Sequence, residues 1–235
     1  MLGNTGTGKS TSIGRVDELG IKGVNPDESV LIKVLNKHLP FPGGSNMFQG
    51  QYGKGGNLLS TDNAATICGA LQAMAKDPKV KVVILDDAQY IMSNEFIRSI
   101  KEAGFDKFNR IGANMCNVLL QFNAMRNDQF FFVLSHCEVG PDNQYKMMTI
   151  GKLADDKGKI DGYTEITLYS RVIEDPKTGE LKMVFCTRAD MSPNGVLIPA
   201  RTPIGMFEEK YIPNDLGYVI DRITAFDAKR LNGNN

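Results

Sequence analysis

The sequence has no surplus of charge. Lysine plus arginine and aspartate plus glutamate both total 27 in 235 residues, so the formal net charge is zero. Bulk electrostatics therefore gives no argument for a polyelectrolyte partner, although local loops remain free to bind one. Cysteine is scarce and scattered. Cys68, Cys116, Cys137 and Cys186 form no C-x-x-C pair, which excludes a zinc ribbon or a disulfide framework and fits a reducing cytosol. No apolar run approaches the ~18 residues of a membrane span. The chain opens on a glycine-rich polar stretch rather than a signal peptide, so the expected compartment is the cytoplasm, with no membrane partner. There is no internal repeat. What remains is an ordinary composition, 42% hydrophobic and 23% charged, sufficient for one α/β-sized domain over residues 1–235.

The apolar pattern alternates between strands and helices. ESVLIKVLNKHLPF (28–41) predicts a strand over roughly 30–35, ended by prolines. The glycine-rich stretch 41–63 predicts a long loop. AATICGALQAMAKD (64–77) has helical spacing and stops before Pro78. KVVILDDAQY (81–90) is a continuous apolar run closed by two aspartates, as for a strand buried on both faces. Helices are expected over 94–104 and 108–127, the second with Ile111, Met115, Val118, Leu119 and Phe122 on its apolar face. QFFFVLSHCE (129–138) predicts a third buried strand, 162–188 a hairpin about DPKTGE, and 214–226 a final helix. Alternation of this kind predicts an α/β fold with a mostly parallel central sheet, whose ligands gather at the carboxyl ends of the strands.

Three stretches fall at those ends. The first is GNTGTGKS, Gly3 to Ser10, which fits the phosphate-loop pattern G-x-x-x-x-G-K-[ST]. Its glycines let the amides of Gly3, Asn4, Thr5, Gly6, Thr7, Gly8, Lys9, Ser10 and Thr11 curl around a phosphate. A following helix is expected to point its N-terminus at the same anion. Lys9 would reach the β- and γ-phosphates, and the Ser10 hydroxyl would ligate Mg²⁺. The bland alternative is a chance match in a glycine-rich loop.

The second is VVILDD, which ends an apolar strand in carboxylates. Asp86 would hold Mg²⁺ directly or through water, against the alternative of a solvated strand end. Where many ATPases have Glu after that position, this chain has Asp87, either an activator of the attacking water or a residue that braces the others. Gln89 could orient water or cap a helix. The third is Ser135–His136, where His136 could sense the γ-phosphate or be a satisfied structural histidine. Arg188 and Arg201 flank a stretch rich in turns; Arg201 is read as a finger toward a neighbouring subunit's γ-phosphate, or as a solvated arginine. Candidate DNA-contacting loops are QGQYGKGG (49–56), with Tyr52 and Lys54, and the lysine-bearing 146–159.

Taken together, GNTGTGKS, VVILDDAQYIMSNEF, AGFDKF, FVLSH, TIGK and PIGMFEEKYIPNDL resemble the AAA-family, RecA-core P-loop ATP-binding proteins carried by tailed phages. The resemblance spans nearly the whole chain. It implies a three-layer P-loop NTPase fold, ATP and Mg²⁺ as ligands, and Lys9, Ser10 and Asp86 as the nucleotide and metal residues. It places His136 at the sensor position. It further implies a role in DNA recombination or replication on single-stranded DNA, in a homo-oligomer, with single-strand annealing proteins among the relatives. Two departures stand out. No Glu follows the 30–35 strand, which favours a module that binds nucleotide with little hydrolysis; a P-loop kinase is the third reading. Only Met1 and Leu2 precede the loop, so its strand is expected to be largely missing and the sequence to be a fragment or a downstream start.

Overall fold

The computed structural model describes residues 1–151 and 160–232. Its strands are β1 (Leu2–Gly3), β2 (Ser29–Lys33), β3 (Leu58–Ser60), β4 (Val82–Asp86), β5 (Phe130–Val133), β6 (Ser135–Val139), β7 (Tyr145–Met147), β8 (Tyr169–Glu174), β9 (Leu181–Cys186), β10 (Asp190–Met191), β11 (Leu197–Ile198) and β12 (Tyr211–Pro213). Its α-helices are α1 (Gly44–Met47), α2 (Ala64–Lys76), α3 (Gln89–Arg98), α4 (Asp106–Leu120) and α5 (Leu216–Asn232). The fold is mixed α/β around parallel strands.

One parallel set runs β3-β2-β4-β5. β5 passes into β6 through Leu134, whose amide donates to the Leu85 carbonyl at 2.9 Å and whose carbonyl accepts from Ala88 at 3.0 Å. β6 lies parallel to β1, and β1 parallel to β8. The β8–β9 hairpin and β12 continue antiparallel, while β7 pairs antiparallel with the outer end of β6. β1 is two residues long yet hydrogen-bonded on both sides, and the Met1 ammonium donates to the Val133 carbonyl at 2.6 Å.

Burial explains why the middle strands read as unbroken apolar runs. Val30, Ile32, Val83 and Leu85 face α2, α3 and α4, packing on Ile67, Leu71, Met74, Ile91, Ile111, Met115 and Val118. The alternate residues Leu31, Val82 and Ile84 face the other way, onto Ile13, Val16, Phe41, Phe48 and Leu216. A strand covered on both sides needs no polar face. A third cluster joins the hairpin to α5 through Phe185, Leu168, Ile212 and Val219.

Several expected boundaries shift. The 41–63 stretch is not all loop: it holds α1 and β3, and β3 extends the sheet by pairing with β2. The 94–104 helix starts earlier, at Gln89, and ends at Arg98. The helix expected after the Gly3–Ser10 loop is one 3-10 turn, Thr11–Ile13. It stops at Gly14, where a Cβ would sit 2.1 Å from the Phe41 ring. A turn that short carries almost none of the aligned peptide dipoles of a helix, so the helix-terminus contribution to anion binding falls away. That face of the sheet is covered by irregular chain, α5 and the Phe41–Phe48 segment rather than by a long first helix.

The late PNDL stretch fastens this irregular face. Buried Asp215 accepts from the amides of Lys22 at 2.8 Å, Gly23 at 2.9 Å and Gly217 at 2.9 Å. Asp215→Ala leaves three amides unpaired, and is expected to destabilise the chain by about 3 kcal/mol or more. Urea unfolding measures this; a loss under about 1 kcal/mol would contradict the fastening role.

Candidate functional site

β1, β2, β4 and β5 run in one direction, so their carboxyl ends share one edge, and β6 begins there with Ser135 and His136. Register places Lys33 beside Asp86, and Gly3 beside His136. At that edge the chain turns through Asn4 to Ser10. Gly6 and Gly8 have φ of +79° and +91°. At Gly8 a Cβ would also meet the Met183 sulfur at 2.4 Å and Asn214 Nδ2 at 2.5 Å, so only glycine fits. Asn214 Nδ2 donates to the Gly8 carbonyl at 2.7 Å, and Ser170 Oγ donates to Asn214 Oδ1 at 3.1 Å and to the Thr7 carbonyl. Thr7 Oγ1 donates to the Asn4 carbonyl at 2.9 Å. The carbonyls of the turn are thus tied from behind. The amides of Thr5 to Ser10 donate to no acceptor among the described residues.

Lys9 lies inside this turn, 7% exposed, with Nζ donating at 2.8 Å to the carbonyls of both Gly3 and Asn4. Burial lowers its pKa from the ordinary lysine value, opposed by the charges of Cys137, Asp87 and Asp86. Ser10 Oγ lies 3.0 Å from both oxygens of Asp86. Asp86 is buried, and burial, with the neighbouring Asp87 charge, raises its carboxyl to about 6. Lys9, Ser10 and Asp86, named from sequence, therefore meet in space, with Thr11 opening the short turn behind them.

Asp87, like Asn143 elsewhere in the described residues, is a non-glycine residue at positive φ. Its φ is +61°, unusual for a residue other than glycine. Its buried carboxylate is engaged by Lys37 Nζ at 2.5 Å, and His136 Nε2 lies 3.8 Å from its other oxygen. Lys37 comes from the polar residues just past β2. Burial acts to lower the Lys37 pKa, but the hydrogen bond and charge of Asp87 outweigh it and the net direction is up. His136 is also 3.3 Å from Thr5 Oγ1 through Nδ1 and edge-on to Tyr90, with ring centroids 6.3 Å apart. Burial and then Lys9 lower its pKa, so the imidazole is neutral at pH 7. Lys37→Met removes a positive neighbour and leaves Asp87 beside the ring. The His136 pKa is then expected to rise, as followed by NMR titration of the ring protons; an unchanged value would contradict this reading of the Lys37–Asp87–His136 group.

Gln89, the first residue of α3, joins two strand ends. Its Oε1 accepts from Ser135 Oγ at 3.0 Å and from the His136 amide at 3.1 Å. Cys137 donates weakly to Asn4 Oδ1 at 3.4 Å; burial pushes its thiol up to about 11, so it is no nucleophile.

Other expected residues lie elsewhere. Arg201 pairs by its backbone with Thr167 and donates from its side chain to the Thr164 carbonyl at 2.7 Å. That is the amino end of β8, the far edge from the loop, so Arg201 does not join the group within its own chain. Arg188 is exposed just past β9. Tyr52 packs against the core and donates to Asp77 at 3.3 Å, so its ring is no open stacking platform; Lys54 is exposed. Residues 152–159 of the lysine-bearing stretch, including the end of TIGK, lie outside the described residues.

The sequence reasoning missed Lys37, Ser170 and Asn214. Lys37 was detectable in principle, because the rule that functional groups gather at carboxyl ends applies to β2 as well. Ser170 and Asn214 act over 163 and 206 positions of sequence, and no local pattern marks them. Among the described residues there is no cluster of three or more His, Cys, Asp or Glu side chains suited to holding a metal ion. None of their helices is long and apolar enough to cross a membrane. No family model matches the chain, and no curated protein matches it.

Proposed function

We propose that the protein is a P-loop ATP-binding protein of RecA-like type that takes ATP with Mg²⁺ and acts on single-stranded DNA in recombination or replication, as its phage-protein resemblance implies. One observation carries the nucleotide part: Ser10 Oγ meets both Asp86 oxygens at 3.0 Å, across 76 positions of sequence. A hydroxyl from the phosphate loop and a buried carboxylate from the next strand but one are the pair that holds Mg²⁺ beside a triphosphate. The donor set fits the group. Two oxygen ligands suffice, because Mg²⁺ keeps several waters and takes others from phosphate. The orders β8-β1-β6 and β5-β4-β2, in two sheets joined where β5 passes through Leu134 into β6, support the RecA-like reading, with the loop at the carboxyl end of a strand flanked on both sides.

In this reading the free amides of Thr5 to Ser10 bind phosphate oxygens, and Lys9 neutralises charge on the terminal phosphates. Bound Mg²⁺ would supply charge neutralisation at the phosphates. Gln89, three residues past the end of β4, ties that end to the start of β6. A neutral His136 can donate to or accept from a phosphate-bound water.

A second reading keeps the same site but removes turnover, and the Lys37–Asp87 pair favours it. A carboxylate held at 2.5 Å by an ammonium is a poor base for water. The test is ATP hydrolysis by wild type and Lys9→Ala, with and without single-stranded DNA. DNA-stimulated turnover that the variant lacks supports the ATPase. Tight DNA binding without turnover supports the non-hydrolysing module. Turnover indifferent to DNA but raised by a small acceptor would instead indicate a kinase and contradict both.

A further inference from the structure

We propose that Gln89 is the residue that tells a bound triphosphate from a diphosphate, by donating its side-chain amide to an oxygen of the terminal phosphate. The inference rests on the nucleotide reading above and goes beyond it in assigning the discrimination to one side chain.

The orientation of the Gln89 amide is set by its neighbours. A backbone N–H can only donate, so the group facing the His136 amide at 3.1 Å is the oxygen. Ser135 Oγ donates to the same oxygen at 3.0 Å. Nε2 is therefore turned away from both donors. It is buried, in a side chain only 2% exposed, and has no acceptor among the described residues. Buried amide donors without acceptors are rare, because the lost hydration is not recovered. This one sits three residues after Asp86 and is anchored to the first residues of β6, which pair with β1, the strand whose following loop carries Lys9 and Ser10. A ligand that brings anionic oxygens to that edge supplies what Nε2 lacks.

The neighbouring side chains are poorly suited to the same task. Asp87 is an acceptor-only carboxylate already held by Lys37, and would repel a phosphate. Asp86 faces Ser10. The loop amides bind phosphates common to di- and triphosphates, and Lys9, reaching both the β- and γ-phosphates, is shared between the two and reads the terminal one only in part. A neutral donor held rigidly between two strand ends can read the one phosphate that differs, and through Ser135 and His136 it connects that reading to β6.

The test compares affinities for MgADP and for a non-hydrolysable MgATP analogue by calorimetry, in wild type, Gln89→Leu and Gln89→Glu. Gln89→Glu keeps an acceptor for Ser135 and the His136 amide, so it separates loss of the donor from loss of the strand-end tie. Wild type is expected to prefer the analogue by about tenfold, the usual size of one hydrogen bond to a charged group. Both variants are expected to lose that preference, Gln89→Glu more completely, and in Gln89→Glu, which keeps the tie to Ser135 and the His136 amide, MgADP affinity stays within about twofold. An unchanged preference in Gln89→Glu would overturn the proposal. So would an equal fall in affinity for both nucleotides, which marks Gln89 as a brace. A wild type that binds neither nucleotide would overturn the P-loop reading itself.

Discussion

Lys9→Ala is expected to weaken MgATP binding by roughly 100-fold, with little change in folding stability. The ammonium is nearly buried inside the turn, and only two of its three N–H groups are used, by the Gly3 and Asn4 carbonyls. Each charge-assisted bond to phosphate contributes about 1.5–3 kcal/mol, and tenfold in affinity is about 1.4 kcal/mol. Loss of one or two such bonds gives the stated magnitude. The stability change is small because Asn214 and Ser170, not Lys9, tie the loop to the hairpin and α5. Burial also lowers the Lys9 pKa, so the folded chain gains no ion-pair stabilisation from this charge that the variant would forfeit. Isothermal titration calorimetry with a melting curve on the same sample measures both. A variant that binds like wild type would remove Lys9 from the site; one that no longer folds would make it structural.

Asp86→Asn is expected to do the reverse: stabilise the fold while removing the response to Mg²⁺. Burial, aided by Asp87, raises the Asp86 carboxyl to about 6, against ~3.9 in an unfolded chain. Below about pH 4 the group is protonated in both states and costs nothing. As pH rises from about 4 to about 6 the unfolded chain releases its proton first, and folding is progressively penalised. Above about 6 the penalty is complete, at about 3 kcal/mol. Asparagine still accepts from Ser10 but carries no charge. In EDTA at pH 8 the variant should therefore melt several degrees above wild type, about 6–12 °C for a chain of this size. The advantage should shrink as pH falls toward 5. Added Mg²⁺ with nucleotide should stabilise wild type and not the variant. A variant less stable than wild type at pH 8, or a difference independent of pH, would contradict the burial argument. A site that holds a charge at the expense of stability is a common sign of function.

Much of the fold was readable because its strands are buried on both sides. β2 and β4 appear as apolar runs, since alternate residues face two different cores. α2 and α4 show helical spacing, and α2 is capped by Asn63, whose side chain accepts from the Thr66 amide at 2.9 Å. β3 was hidden because its three residues, Leu58 to Ser60, owe their conformation to β2 rather than to their own pattern. The break at Leu134 that splits 129–138 into β5 and β6 coincides with its bonds to Leu85 and Ala88, which no local periodicity announces. α3 begins early because Asp87, at positive φ, turns the chain directly off the strand end.

The site divides along the same line. Lys9, Ser10 and Asp86 were legible since each lies within a short pattern with a chemical reason for its spacing. Lys37 was not, because its partner Asp87 is 50 residues away and only the parallel pairing of β2 with β4 brings them together. Gln89 was visible as a residue but not as a donor. Its orientation follows from the His136 amide, which only the folded chain places against it.

In the proposed function a loop, a hydroxyl and a buried carboxylate form one MgATP site. Equilibrium binding of a fluorescent ATP analogue to the purified chain tests it most directly, in Mg²⁺ and in EDTA. The expected result is saturable binding of one nucleotide per chain, displaced by unlabelled ATP and ADP, and weakened at least tenfold when Mg²⁺ is removed, since the metal couples phosphate to Ser10 and Asp86. Absence of saturable binding in Mg²⁺, or binding indifferent to EDTA, would contradict the claim.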